Sequence, residues 1–393
     1  MKRRTFLAAA GVGLTAGCLS FQEGGGTPGE TPTGTSESPP GTEAGPTGPE
    51  TVGDAAITWR AETMAAVEGA PAVGAETVYV HSTDRRLYAI DRESGERQWR
   101  TDVGDPPSGG AVTPQPARGE GVVVAVTGSG IVALDRESGE RAWSVPSNGG
   151  HLAASPVTDG SVVCHRLSRQ RIGLVDLEGG DPVGELNADG AVRAATWNEA
   201  ASRLVVLTGQ RGSSEAALVT VSLPGGDQQS TASLALANEL GPPNYLAAAD
   251  GVVVTDADSG AVSAFDLATG DALWRREHGN GVTPPATVTG DGVYLKGFPE
   301  QEVGEMAVDL QSGAARWQLN LDGTGSCCNA APAVAPDRVY VANTGSAGLV
   351  GVDSEGTVRW RYEGTAMPAA RPAVTDERLF VPAADGTLYA LSR

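Results

Sequence analysis

The residues of this 393-residue chain best suited to redox or covalent chemistry are two adjacent thiols, Cys327 and Cys328, in the segment GTGSCCN at 323–329. Neighbouring cysteines can close an eight-membered disulfide ring where the compartment is oxidising. From the residues alone, the expected role of such a ring is to stiffen its loop. The other cysteines, Cys18 and Cys164, and the four histidines have no CxxC, HExxH or CxxCH spacing, which argues against a zinc hydrolase or a covalent haem protein. His81, His165 and Lys296 each follow an apolar triplet (VYV, VVC, VYL), where Ala125, Thr255, Ala342 and Pro382 stand in equivalent segments. A position that accepts alanine and proline is a strand end, not a ring of ligands. Cys164, inside its triplet, reads as a small buried hydrophobe. The segment DADSG at 256–260 has the outline of a calcium loop, yet no glutamate closes it at EF-hand distance, so a hairpin turn is expected. Catalytic and metal-ligating residues are therefore expected to be none.

The charge balance narrows the partners. Lys and Arg number 28 against 48 Asp and Glu, a net charge of -20, and lysine occurs only as Lys2 and Lys296. Nucleic acid and anionic membrane surfaces need a basic face, so neither is expected. Acidity spread along the chain without acidic blocks reads as solubility in high salt. No apolar run reaches the roughly 18 residues of a spanning helix.

The elements that would position any site begin after an address and a tether. MKRRTFL followed by AAAGVGLTAGC has the charged start, short apolar centre and small-residue exit of an export signal. Arg3-Arg4 with Phe6-Leu7 resembles a twin-arginine signal, and LTAGC at 14–18 resembles a lipobox that makes Cys18 the lipidated residue of the mature chain. Residues 19–53 are mostly Gly, Pro, Thr, Ser and Glu without apolar spacing, too polar to offset the entropy of ordering, and are expected to form a disordered stalk. The resulting localisation is the outer face of the cell membrane, held there by the lipid alone.

The remainder, 54–393, repeats. Trp59, Trp99, Trp143, Trp274, Trp317 and Trp360 fall 40, 44, 131, 43 and 43 residues apart, and 131 is about three periods; Trp197 lies off this register. A common phrase precedes the later tryptophans: AIDRESGERQW at 89–99, ALDRESGERAW at 133–143, AFDLATGDALW at 264–274, AVDLQSGAARW at 307–317 and the shortened GVDSEGTVRW at 351–360. Degenerate copies, LVDLEGGDPVG at 174–184 and TVSLPGGDQQS at 220–230, fill the gap. Within the phrase Asp91, Asp135, Asp266 and Asp309 are suited to accept turn N–H groups, and Gly95, Gly139, Gly270 and Gly313 to take positive φ. Short apolar runs between turn residues are strands, and four strands per 43 residues make a propeller blade. The span 55–393 accommodates eight blades. The last has three strands, and its missing tryptophan strand is AITWR at 56–60. The fold class is thus all-β: an eight-bladed propeller of four-stranded antiparallel blades, closed by the N-terminal strand and monomeric.

The phrase AxDxx(S/T)GxxxW resembles the tryptophan-docking motif of the pyrroloquinoline quinone (PQQ) repeat propellers. That family holds both quinoprotein alcohol dehydrogenases and the non-catalytic BamB-type assembly lipoproteins. The acidic composition and twin-arginine-like signal look like those of a haloarchaeal surface protein, which has no outer membrane for a BamB role. By resemblance, Cys327-Cys328 would sit as a vicinal disulfide beside PQQ, with calcium, although the arginine, base and calcium ligands of those enzymes are not matched. The leading expectation is a non-enzymatic surface scaffold that binds a protein or peptide without a cofactor; the alternative is a PQQ- and calcium-dependent oxidoreductase. The loops that gather at the channel face carry His151, Arg193, Tyr245, Cys327, Cys328, Met367 and Arg371, the expected binding surface, with Arg193 and Arg371 as its anion contacts.

Overall fold

The computed structural model of the protein describes residues 53–106, 117–118, 121–146, 161–198, 201–237, 240, 246–256, 261–277, 286–298, 303–319, 330–343, 348–364 and 367–393. They form eight antiparallel sheets arranged as the blades of a propeller. Blade 1 is Ala72–Val73, Thr77–His81, Arg86–Asp91 and Arg97–Asp102, paired in chain order from the innermost strand outward. Blades 2, 4, 5, 6 and 7 repeat that meander, and blade 3 shows three strands among the described residues, Val162–Ser168, Arg171–Asp176 and Pro182–Asn187.

Blade 8 closes the ring. Its inner strands Ala373–Val374, Arg378–Pro382 and Thr387–Ser392 come from the end of the chain, and its outermost strand is Ile57–Glu62 from the start. The register Trp59↔Ala390 and Glu62↔Thr387 is antiparallel, and Ala56 and Ser392 exchange bonds at 2.9 Å. One further strand was not foreseen: Gly53–Asp54 runs parallel to Val358–Glu363 and adds a fifth strand to blade 7. That two-residue addition partly covers an outer edge that would otherwise present unpaired backbone groups.

Strand type follows burial. Second and third strands lie between two neighbouring blades and carry continuous apolar runs, as in VYV at 78–80 and LYAI at 87–90, all buried. Fourth strands face solvent on one side and alternate, as in RQWRTD at 97–102. The core is accordingly not one central mass. Each of its eight apolar clusters spans one seam between adjacent blades; Trp59, Val78, Val80, Tyr88, Ile90, Phe380 and Leu388 form the seam between blades 8 and 1.

The repeated phrase builds these seams. A β-bulge leaves the residue before each docking tryptophan unpaired, for example Gln98 between Ile90↔Arg97 and Ala89↔Trp99, and this bend turns the indole toward the next blade. There the indole N–H donates to a carbonyl of the turn between the third and fourth strands: Trp59 to Arg92 at 3.0 Å, Trp99 to Arg136 at 2.9 Å, Trp143 to Glu178 at 3.0 Å and Trp274 to Leu310 at 2.8 Å. Asp91 Oδ1 holds its turn by accepting from Ser94 N and Ser94 Oγ, both at 2.8 Å. Bonds of this kind, led by the backbone N–H of Ser94, Ser138, Thr269 and Ser312, hold the carboxyls of Asp91, Asp135, Asp266 and Asp309 below the usual range.

The two degenerate copies solve the same packing problem differently. In blade 3 the bulge is kept, but Gly184 stands where a tryptophan would, and the turn of blade 4 presses onto it so closely that a Cβ would lie 2.4 Å from Gly225 O. In blade 4 Ser230 takes that place, and Gly270 of blade 5 packs against the backbone of Ser233. Blade 4 is therefore held on both sides by close backbone approach rather than by an indole.

Cys164 lies in the seam between blades 3 and 4, and burial pushes its thiol up to about 12. At pH 8 its thiolate fraction is roughly one in ten thousand. In a chain with Cys18, Cys327 and Cys328 replaced by serine, a maleimide is expected to label Cys164 only as fast as the fold opens. Labelling of the native chain at the rate of an unfolded peptide would contradict this burial.

Candidate functional site

The inner strands of blades 1, 6, 7 and 8 line a channel cavity of about 370 Å³. The wall is small and apolar, with Val73, Ala333 and Val374 among its residues, and its polar groups are Thr287, Thr289 and Arg371. Thr287 Oγ1 donates to Pro332 O at 2.5 Å, tying blade 6 to blade 7. Arg371 precedes the innermost strand of blade 8. Its guanidinium has no hydrogen bond or ion pair among the described residues, and burial lowers its pKa. Met367, half-buried, begins the same approach and accepts from Ala384 N at 3.1 Å through its backbone oxygen.

Arg193 lies elsewhere, on the innermost strand of blade 4, Val192–Asn198, and does not line that cavity. Its Nε donates to Gly209 O at 3.0 Å while its Nη2 is buried without an acceptor. Cys18, His151, Tyr245, Cys327 and Cys328 lie outside the described residues. The expected binding surface is thus resolved into two separate places, the channel mouth at Met367 and Arg371 and the blade 4 rim at Arg193.

The other candidates are structural. His81 ends its strand, is buried, and its Nε2 lies 3.1 Å from Gly104 O; burial lowers its pKa, so it is held neutral at pH 7. His165 sits inside a longer strand than its motif suggested, Val162–Ser168, opposite Gly173, where a side chain would collide with the imidazole. Asp256 is buried at the end of its strand, and the rest of DADSG lies outside the described residues. Lys296 lies within Gly292–Phe298. A groove of about 500 Å³ between blades 1 and 2 holds Arg85 and Asp102, which pair with each other at 3.9 Å.

Sequence reasoning missed Thr287 and Thr289, because threonines in and just after a two-residue strand carry no pattern. It also missed Arg166, Arg169 and Arg211, whose closeness to Arg193 depends on the packing of two blades.

The described lining of the channel cavity does not by itself fit PQQ. One guanidinium would face three carboxylates, and no aromatic ring is present for the quinone to stack on.

Tryptophan-docked meanders in eight blades, closed by Ile57–Glu62, define the class of PQQ-type eight-bladed propellers. Within that class, the family model for the outer membrane protein assembly factor BamB matches residues 52–217 and 299–393, and the chain belongs to this family. No curated protein matches it. Among solved structures, BamB from Moraxella catarrhalis is similar at a TM-score of 0.60 and 16% identity, over 86% of this chain and 98% of that one. A quinohemoprotein alcohol dehydrogenase from Pseudomonas putida HK5 is similar at 0.60 and 13%, over 86% and 76%. A europium-containing methanol dehydrogenase is similar at 0.61 and 13%, over 86% and 93%. At these identities the likeness is one of fold alone.

Proposed function

We propose that the protein is a non-enzymatic scaffold, anchored outside the cell membrane through Cys18, that binds a protein or peptide at the channel mouth. The observation that carries this reading is Arg371: a half-buried guanidinium without a partner among the described residues, above apolar walls. A cation held in this way has lost part of its hydration without replacing it, so an incoming carboxylate or carbonyl recovers more there than at an exposed arginine. The apolar wall offers surface for a short side chain beside it. Membership of the BamB family supports the reading, since the matched description is of an assembly factor.

The test uses photo-cross-linking on intact cells. A cross-linking residue in place of Met367 is expected to form a discrete protein adduct, weakened at least tenfold by Arg371→Gln. The same residue in place of Asp376, in the turn at the other end of the blade 8 inner strand, is expected to form none. Equal adducts at both positions, or none at Met367, would overturn the proposal. Titration with PQQ and calcium addresses the oxidoreductase alternative: saturable one-to-one binding that is lost in Cys327→Ser would replace the scaffold with a quinoprotein.

A further inference from the structure

The rim of blades 3 and 4 gathers positive charge in a chain whose net charge is -20. Backbone bonds hold it together. The segment 191–193 that starts blade 4 is clamped between two hairpin turns: Val192 N donates to Arg169 O at 2.7 Å, and Gly209 N donates to Ala191 O at 3.0 Å. The first turn carries Arg169 and the second carries Arg211, both exposed. Between them Arg193 bonds Gly209 O at 3.0 Å through Nε, and Arg166 Nη2 donates to Val192 O. These bonds bring Arg193, Arg169 and Arg211 to one rim, and none of the three forms an ion pair among the described residues. Asp189, on the connection between the two blades, forms no ion pair with them among the described residues.

Among the described residues, Arg193, Arg169 and Arg211 have no counter-charge, and the strongest sign of this is geometric. Arg193 Nη2 is buried with no acceptor, which leaves a charged donor unsatisfied. Burial, then the charges of Arg169 and Arg211, lower the pKa of Arg193; burial, then Arg193 and Arg169, lower that of Arg166. Like charges kept this close in a fixed fold are relieved by an anion that bridges them, and guanidinium forks match the geometry of tetrahedral oxyanions.

We propose that Arg193, Arg169 and Arg211 form a binding site for a doubly charged oxyanion of the phosphate class, free or as a monoester. Two negative charges are what three mutually repelling guanidinium groups can neutralise without reversing the local sign. The exposed pair supplies long, mobile arms, and Arg193 supplies the fixed donor beneath a turn that already holds its Nε. This site lies apart from the channel mouth and does not depend on Arg371.

The experiment is calorimetric titration of the purified full chain with inorganic phosphate and, separately, with glycerol 3-phosphate, at constant ionic strength in chloride. Saturable binding is expected for at least one of them, weakened at least tenfold in Arg169→Gln/Arg211→Gln, whose exposed positions leave the fold intact. Arg97→Gln, an exposed arginine on the outer strand of blade 1, is expected to bind like the parent. Binding of both ligands assigns the site to the phosphate group itself; binding of the monoester alone assigns it to an esterified phosphate. No saturation by either ligand, or equal affinity in the double variant, would overturn the proposal. Because Arg371 and Met367 are untouched, that failure would leave the cross-linking result at the channel mouth unchanged.

Discussion

Deletion of Ile57–Glu62 is expected to abolish the cooperative unfolding of the propeller. The strand provides the outer ladder of blade 8 and places Trp59 and Ala61, both buried, in the seam with blade 1. Loss of the indole alone costs about 3–5 kcal/mol by comparison with large-to-small core substitutions. The deletion also removes the Trp59 bond to Arg92 and leaves Thr387–Ser392 as an unprotected edge. Against a total stability of about 5–15 kcal/mol for a folded domain, these losses take most of what is available. Thermal unfolding followed by circular dichroism would show a broad transition or none. A sharp transition at the parent temperature would mean that the ring does not depend on its first strand.

The second large effect lies at the docking glycine. Gly139 has φ 71° and a Cβ there would lie 2.6 Å from Trp99 Cδ2. Gly139→Ala is expected to cost about 2–4 kcal/mol, from the left-handed backbone and the overpacked indole together. Trp99→Ala is expected to cost about 3–5 kcal/mol. The two should couple: once the indole is gone, the alanine meets only backbone strain, about 1–2 kcal/mol. Denaturant unfolding of the two single variants and the double variant measures this, and strictly additive losses would show that the glycine does not serve the tryptophan.

The fold was legible because its signal is carried by the residues that make the seams. A tryptophan needs a flat partner surface, so it recurs with the period of the blade, and the Asp-x-x-Ser-Gly turn recurs with it because the indole N–H must reach that turn. The missing tryptophan strand at one end and the spare one at the other follow from closure of the ring. Gly53–Asp54 was not legible, since two small polar residues have no period and their pairing with Trp360 and Arg361 is set by the ring. Nor was the packing around blade 4. Gly184 looks like an ordinary strand glycine, and only the approach of Gly225 to it, and of Gly270 to Ser233 in the next seam, reveals that backbone contact replaces an indole there. Of the candidate positions, Arg371 and Arg193 could be placed at strand entries from the repeat alone. The grouping of Arg193 with Arg169 and Arg211 could not, because it arises where two hairpin turns and one strand start converge.

The closing ladder also sets the order in which the chain can become native. Its two strands are bonded across 332 positions of sequence, where Thr58 Oγ1 donates to Ala390 O, whereas successive strands within the other blades are joined by short turns. Seven blades can gather from local pairings as the polypeptide emerges, but Ile57–Glu62 must wait for the last strand, Thr387–Ser392. Until then the opening segment has no ladder to join, and the final hairpin keeps an exposed edge. Completion is therefore tied to the end of synthesis, and a chain truncated before residue 387 cannot seal its ring in this way.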